Sequence, residues 1–464
     1  MKMVYDVGDK PKAGKLIVFA FQQMLAILAA TIAVPMIIGN GLTPSVAMFG
    51  AGVGTLVYVF FTKKKSPVFL GSSFAFIGSM FSAFAGGVSM QLGMLGLLLG
   101  VAYAGLVYVL LSFLVKEIGV RWIDRLMPPV VIGPTVAIIG LSLAANAVSD
   151  LGLSGIEGVR ENPNSFYAAL ACGLVTLAVT MICSTYGSKN LKLVPFVAGI
   201  GAGYVTALVM TCIGGFLDIQ ALRIIDVSLF RKYMFEDGVS LKTFVSVPDF
   251  VFTKAIDGFD ELSGSYILTI IMAYVPVSFV VFAEHIADHK NLSSVIGKDL
   301  LKDPGLSRTL LGDGVGSIAG AFFGGCPNTT YGESVACVAI TGNASVSTII
   351  AAALGCIVLS FVTPFVALIS SIPNCVMGGV CIALYGFIAV SGLKMFKHVD
   401  LDQNHNLFTA SVILVTGIGG LSISFGDVTI TNIATALILG ILTNLLLTVG
   451  KTDDNKEESG SGEQ

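Results

Sequence analysis

The chain is most tightly constrained by a succession of apolar runs, each about as long as a bilayer is thick, from Leu16 to Val449 with only brief polar breaks. A helix needs ~20 apolar residues to cross ~30 Å of hydrocarbon, so the series reads as a set of transmembrane spans. With 55% hydrophobic and 12% charged residues, the solvent for this chain is lipid, and the pattern holds one membrane domain and no soluble one. The first run is long, carries no small-residue cleavage site and leads into further spans. It therefore reads as a retained first helix rather than a secretory signal.

Hydropathy, with Gly, Pro and charge as breaks, predicts about fourteen spans, near 16–38, 42–61, 67–86, 92–115, 124–147, 166–185, 193–214, 265–287, 306–323, 327–342, 345–368, 373–393, 406–422 and 430–449. An even count puts both termini on one side, and the positive-inside rule makes that side cytoplasmic. Twenty of the 26 Lys and Arg residues fall there, among them Lys2, Lys63, Arg121, Arg125 and Lys192. Arg160 and the basic residues of a long loop, 215–264, fall on the other. The eight cysteines lie almost entirely in apolar stretches with no C-x-x-C pair and no histidine at ligand spacing, so they read as small core residues and no metal or cofactor is expected. Nothing in the charge pattern suggests nucleic-acid binding.

Two segments, one in each half, are too broken to be helical throughout: Pro67-Val68-Phe69-Leu70-Gly71-Ser72-Ser73-Phe74, and Gly324-Gly325-Cys326-Pro327-Asn328-Thr329-Thr330-Tyr331-Gly332-Glu333. Unwound backbone at membrane depth is tolerated only where it faces protein or a wet cavity, and matched breaks in two halves point to a transporter's binding site. A weaker echo joins Pro128-Pro129 with Gly133 and Gly140 to Pro373 with Gly379 and Gly386. It reads either as a repeat or as the ordinary glycine enrichment of membrane helices. Seven spans on either side would give the repeats opposite topology.

Few ionisable groups interrupt the apolar runs, and each should face the bundle interior, because facing lipid is costly. Glu284 stands deep in the eighth span, after Val280-Val281-Phe282-Ala283, and Glu333 follows the broken stretch of the tenth; both read as functional. Asp288 shares a helix face with Glu284 and either takes part or marks the helix end beside His289 and Lys290. Asp313 is either functional or a structural hydrogen-bonding acid. His285 points ~100° away from Glu284 around the helix, as a structural partner or a proton carrier.

Two buried carboxyls near two unwound segments suit a planar polar ligand. A heterocycle with alternating N–H and C=O groups needs acceptors, which carboxylates supply, and donors, which free backbone N–H groups of Phe74, Gly332 or Glu333 supply. Phe74, Tyr331 and Tyr385 can cover its faces. A carboxyl group that exchanges a proton would couple transport to a proton gradient. No G-x-x-x-x-G-K-[ST] sequence occurs, so ATP-driven transport is not expected, and no nucleophile–base pair suggests an enzyme.

These residues, with Gln22-Gln23, Ala29 to Pro35, Leu70 to Phe76, Ala283 to Asp288, Gly297 to Gly305, Pro327 to Glu333 and Val376-Met377-Gly378-Gly379, resemble the nucleobase/ascorbate transporter family (nucleobase–cation symporter 2), most closely its bacterial uracil permease branch. The resemblance covers nearly the whole chain. It implies an all-α polytopic membrane protein with fourteen transmembrane spans in two inverted seven-span repeats, and short strands in spans 3 and 10. It divides the chain into a core domain (16–116 and 265–368) and a gate domain (117–214 and 369–450). The loop 215–264 would be extracellular, with residues 1–15 and the acidic tail 451–464 cytoplasmic. It also implies that Glu284 and Glu333 hold the base, that Phe74 and Gly332 are backbone donors, and that Ala30, Tyr331 and Tyr385 form pocket wall. Proton symport, uracil as cargo, a cell-membrane location and a homodimer follow from the same likeness.

The chain departs from that family at several points. Ser334-Val335-Ala336 stands where E-N-x-G would continue, Gln23 replaces a common histidine, Asp288 stands where some uracil permeases have histidine, and the loop 215–264 is long, with an amphipathic piece near Leu229–Phe235. The alternatives to uracil are xanthine, uric acid or another purine, or, in a different class, an anion exchanger or channel on the same architecture. Glu333 argues against the last, since a carboxylate repels an anion held at helix N-termini.

Overall fold

The computed structural model describes residues 3–119, 122, 126–152, 163–235, 240–425 and 428–460. Lys2, Arg121, Arg125 and Arg160, counted above for orientation, and residues 461–464 of the tail lie outside them. Helices dominate, because an apolar segment in hydrocarbon must satisfy its own backbone polar groups. The first half holds α1 (Ala13–Ile38), α2 (Pro44–Phe61), strand β1 (Leu70–Ser72), α3 (Ile77–Ala83), α4 (Met90–Ile118), α5 (Pro129–Ser142), α6 (Ala144–Gly152), α7 (Pro163–Tyr186) and α8 (Pro195–Phe216). Two short helices, α9 (Ser228–Phe235) and α10 (Val251–Ala255), lie in the long loop. The second half holds α11 (Gly264–Ile296), α12 (Leu306–Gly324), strand β2 (Asn328–Thr330), α13 (Gly332–Thr341), α14 (Val346–Ser360), α15 (Thr363–Ser370), α16 (Asn374–Lys394), α17 (Asn404–Ile418), the strands β3 (Ile423–Phe425) and β4 (Val428–Ile430), and α18 (Asn432–Gly460).

Among the described residues eight helices are long and apolar enough to cross a membrane: α1, α2, α4, α5 with α6, α7, α8, α11 and α16. Helix α13, helix α14 and the stretch Asn432–Thr448 are apolar but shorter. One expected span, 345–368, is broken into α14 and α15. The interruption is where the long loop pairs with the chain: Ser246 N–H donates to the Phe361 carbonyl at 3.0 Å and Thr363 N–H to the Phe244 carbonyl at 3.0 Å. The amphipathic piece of that loop is α9, which packs on α15.

Glycine spacing sets the close contact between α2 and α12. On α2, Gly50 and Gly54 are four apart, as are Gly316, Gly320 and Gly324 on α12, and the two rows meet face to face. A Cβ at Gly54 would come within 2.8 Å of the Gly316 carbonyl oxygen, and one at Gly316 within 2.7 Å of the Gly54 oxygen. Small residues every fourth position let membrane helices approach this closely.

The helices fall into two packed groups. One contains α1, α2, α4, α11, α12 and α14, and the other α5, α6, α7, α8, α16, α17 and α18. In the second group Gly140 meets the backbone of α16 at Tyr385 and Ala389, whereas Gly386 has nothing within 4 Å of a would-be Cβ. Gly140 and Gly386 are therefore not matched in packing, whereas Gly133 and Gly379 each meet a backbone oxygen of another helix, that of Gly392 and that of Gly173.

Candidate functional site

Strands β1 and β2 pair antiparallel, with Leu70 opposite Thr330, Gly71 opposite Thr329 and Ser72 opposite Asn328. The two broken segments thus satisfy each other's backbone. Side chains finish the work: Thr55 Oγ1 takes the Leu70 N–H at 2.9 Å, Ser317 Oγ takes the Asn328 N–H at 2.9 Å, and Asn328 Nδ2 donates to the Gly50 carbonyl at 2.9 Å. Tyr331 Oη donates to the Ser72 carbonyl at 2.7 Å, and Gly71 leaves the room that its ring fills. Buried backbone left unpaired would cost several kcal/mol per group, which is why these residue types sit here.

Immediately after β2, α13 begins at Gly332, so its first N–H groups, including those of Gly332 and Glu333, have no partner within the helix and its positive dipole end points the same way. Ser334 ties this turn down. Its Oγ accepts from the Phe69 N–H at 3.0 Å and from Gln23 Nε2 of α1.

Helix α11 divides its polar residues by face. Glu284 and Asp288 point to the cavity described below, and the Thr330 hydroxyl donates to Asp288 Oδ2 at 2.7 Å. His285 and His289 point into the first helix group and are fully buried, their rings stacked with centroids 4.1 Å apart. His285 Nδ1 lies 2.6 Å from Asp313 Oδ2 and Nε2 lies 3.0 Å from Thr309 Oγ1. Thr309 donates its own proton to the Leu306 carbonyl at 3.0 Å, so it accepts from His285 Nε2–H. The Nδ1–Oδ2 contact then holds one shared proton, and the pair is neutral as a unit. His289 Nδ1 donates to the His285 carbonyl at 2.8 Å, leaving Nε2 beside Tyr58 Oη at 2.7 Å.

A cavity of about 440 Å³ lies between the two helix groups. From the first group it takes Ser73 and Phe74 beyond β1, Glu284 and Asp288 of α11, and Thr329 to Glu333. From the second it takes Ile132, Val136 and Ile139 of α5, Lys192 and Leu193 just before α8, Pro195 and Phe196 at its start, and Leu384, Phe387 and Ile388 of α16. One wall is therefore acidic and rich in hydrogen-bonding groups, and the other is mostly apolar. Such a site binds a small planar polar molecule by its edges and covers its faces with hydrocarbon.

The Permease family (Xan_ur_permease) matches residues 14–424. The chain belongs to this permease family. It is 39% identical over 451 residues to the uracil permease of Bacillus caldolyticus, covering 96% of this chain and 95% of that one. It is 37% identical to the uracil permease of Bacillus subtilis (strain 168), over 100% of this chain and 98% of that protein, and 34% identical to that of Escherichia coli (strain K12), over 95% and 93%. Its fold is similar to that of the transmembrane domain of the cyanobacterium bicarbonate transporter BicA, with a TM-score of 0.57 at 15% identity over 94% of this chain and 97% of that one. It is also similar to the murine anion transporter Slc26a9, with a TM-score of 0.63 at 12% identity over 96% and 69%. Members of the family are transporters, not enzymes.

In this permease, five of the residues expected to hold substrate line the cavity: Glu284, Glu333, Phe74, Gly332 and Tyr331. Ala30 and Tyr385 do not. Ala30 is buried in α1, and the Tyr385 ring packs edge-on against Phe74 with centroids 5.9 Å apart, one layer behind the wall. Of the proton candidates, Glu284 and Asp288 line the cavity, and His285 and Asp313 lie behind it as the buried pair. Sequence reasoning missed Lys192 and the apolar wall from α5 and α16, because contacts between distant spans leave no periodic mark. It also missed Thr330 as the partner of Asp288, although that threonine lies inside the broken motif. Among the described residues, no group of three His, Cys, Asp or Glu side chains is placed to hold a metal ion.

Proposed function

We propose that this permease takes up uracil together with a proton across the plasma membrane by alternating access. The observation that carries the reading is the cavity between two helix groups, with Glu284, Asp288 and Glu333 on the wall where α13 presents its first N–H groups. Glu284 and Glu333 accept the N–H edges of the base, and the backbone N–H groups of Phe74 and Gly332 meet its carbonyls. The Tyr331 hydroxyl is committed to Ser72, so this residue contributes its ring. Phe74, backed by Tyr385, covers one face. Glu284 carries the coupled proton, with Asp288 as its neighbour, while the His285–Asp313 pair holds α11 against α12. Similarity to uracil permeases supports the choice of cargo.

The architecture in this reading is fourteen spans in two inverted seven-span repeats. The first helix group is the core, from 16–116 and 265–368; the second is the gate, from 117–214 and 369–450. Three features support it: the grouping of the helices, the meeting of β1 and β2 from opposite halves, and the cavity at the group boundary. Both termini are cytoplasmic, the loop 215–264 is extracellular, and the permease works as a homodimer.

The test is uptake of labelled uracil by membrane vesicles carrying an imposed proton gradient, in competition with unlabelled bases. Uracil accumulation that collapses with a protonophore is expected. Xanthine outcompeting uracil would replace the cargo, and anion flux that persists or rises in Glu333→Gln would favour the exchanger reading instead.

A further inference from the structure

The short link between α7 and α8 reaches across the boundary between the helix groups. Within it, Leu191–Leu193 forms a single turn of tight helix whose third residue, Leu193, is 7% exposed. Leu193 packs with Ala26 of α1 and Cys337 of α13, and Val194 packs against the same three. This apolar cluster is separate from the main core, and Ala26, Leu193 and Cys337 all line the cavity. Cys337 is one helical turn beyond Glu333, on the same face of α13. Movement of Leu193 is therefore felt one turn from the carboxyl that meets the ligand. Lys192 and Ser184 place this contact at the end of the cavity where α7 ends and α8 begins.

We propose that Leu193 is an inter-group latch: it seats on Ala26 and Cys337 to close this end of the cavity and must leave them in each transport cycle. A contact between groups that slide past one another has to be small and apolar, so that it can break without stranding a buried charge or hydrogen bond. The Ala26–Leu193–Cys337 cluster is of that kind, unlike the many-sided packing within each group. The device rests on the transport reading above, but half of its test does not.

The first half uses Leu193→Cys with native Cys337 and a short, reducible bis-methanethiosulfonate cross-linker in vesicles. Linkage, read by peptide mass spectrometry, is expected to reduce labelled uracil uptake at least tenfold, with recovery after dithiothreitol and with equilibrium binding of uracil to purified protein retained. Linked protein that still transports at the unlinked rate would make the contact a fixed one and overturn the latch. So would equal inhibition by a monofunctional methanethiosulfonate. The second half needs no substrate. In Leu193→Ala, alkylation of Cys337 by N-ethylmaleimide should be at least tenfold faster than in the unaltered protein, and an unchanged rate would overturn the latch even if uracil proves not to be the cargo. Absence of uracil binding in the unaltered protein would instead count against the cargo reading and leave the alkylation result to decide the latch.

Discussion

Glu333 occupies the first turn of α13 beside donors that the helix itself cannot use, and Glu284 faces the same cavity from α11. A hydrogen bond to a charged group contributes about 1.5–3 kcal/mol, so replacing the Glu333 carboxylate by an amide should weaken uracil binding roughly 10- to 150-fold. Glu284, as the proton carrier, should respond differently. Glu333→Gln is expected to raise the Kd by such a factor while leaving some uptake driven by a proton gradient, whereas Glu284→Gln should abolish uphill accumulation even at saturating uracil. Uphill uptake that survives in Glu284→Gln moves the proton to another acid, and Asp288 is next on the same face. Both carboxyls are legible in the sequence because an acid in an apolar run is costly and therefore rare. What they bond to is not. Gln23 and Ser334 each stand out singly as departures from the family pattern, yet they are partners in one hydrogen bond between α1 and α13, a pairing that no spacing rule encodes across 311 positions. His285 is read from the sequence as structural partner or proton carrier, and its bonds to Asp313 and Thr309 favour the partner's part.

Among elements, the α2–α12 pair fixes the position of β2, because Asn328 of β2 donates its side-chain N–H to the Gly50 carbonyl of α2 and its backbone N–H to Ser317 Oγ of α12. Gly54 has no space for a side chain: a Cβ there would meet Asn328 Nδ2 at 2.6 Å and the Gly316 oxygen at 2.8 Å. Overpacking of a close contact costs ~1–3 kcal/mol. Gly54→Val should therefore lower the unfolding temperature of detergent-solubilised protein and, by displacing β2, cut uracil binding as well. An unaltered melting curve would mean that the two helices are free to separate. At this scale the sequence marks the broken segments through Gly, Pro and Thr, since those residues cannot sustain a helix at such density. It hides which residues pair across the two strands, and at Phe361 and Val362 it marks the break through Pro364, which has no N–H to continue the helix, while hiding the pairing with Val245 of the distant loop that accompanies it.

The division of the whole molecule into two helix groups is legible only through the family resemblance, since hydropathy counts spans without saying which of them touch. Orientation is more accessible, because Lys and Arg are distributed unevenly between alternate loops. Alkaline phosphatase fused within 215–264 should be active and a green fluorescent protein fused after residue 464 should fluoresce; the opposite pair of signals would invert the chain. The start of the chain is tied into the fold far from its sequence neighbours. The Val4 N–H donates to the Gly342 carbonyl at 2.7 Å, Ala344 N–H to the Tyr5 carbonyl at 2.9 Å, and Asp6 Oδ2 lies 2.6 Å from Lys298 Nζ. This clip joins residues before α1 to the links that follow α11 and α13. The Lys298 side chain, with the Val7 N–H, holds the Asp6 carboxyl below the usual carboxylate range. A carboxyl so depressed stabilises the fold above its unfolded pKa of about 4 and loses that contribution as pH falls through its folded value. Asp6→Asn should accordingly melt below the unaltered protein at pH 7, with the gap closing as the pH is lowered below about 4. The pair is about half exposed, so salt should narrow the same gap at neutral pH. A gap that ignored both pH and salt would mean that Asp6 acts through its shape and its bond to Val7 rather than through charge.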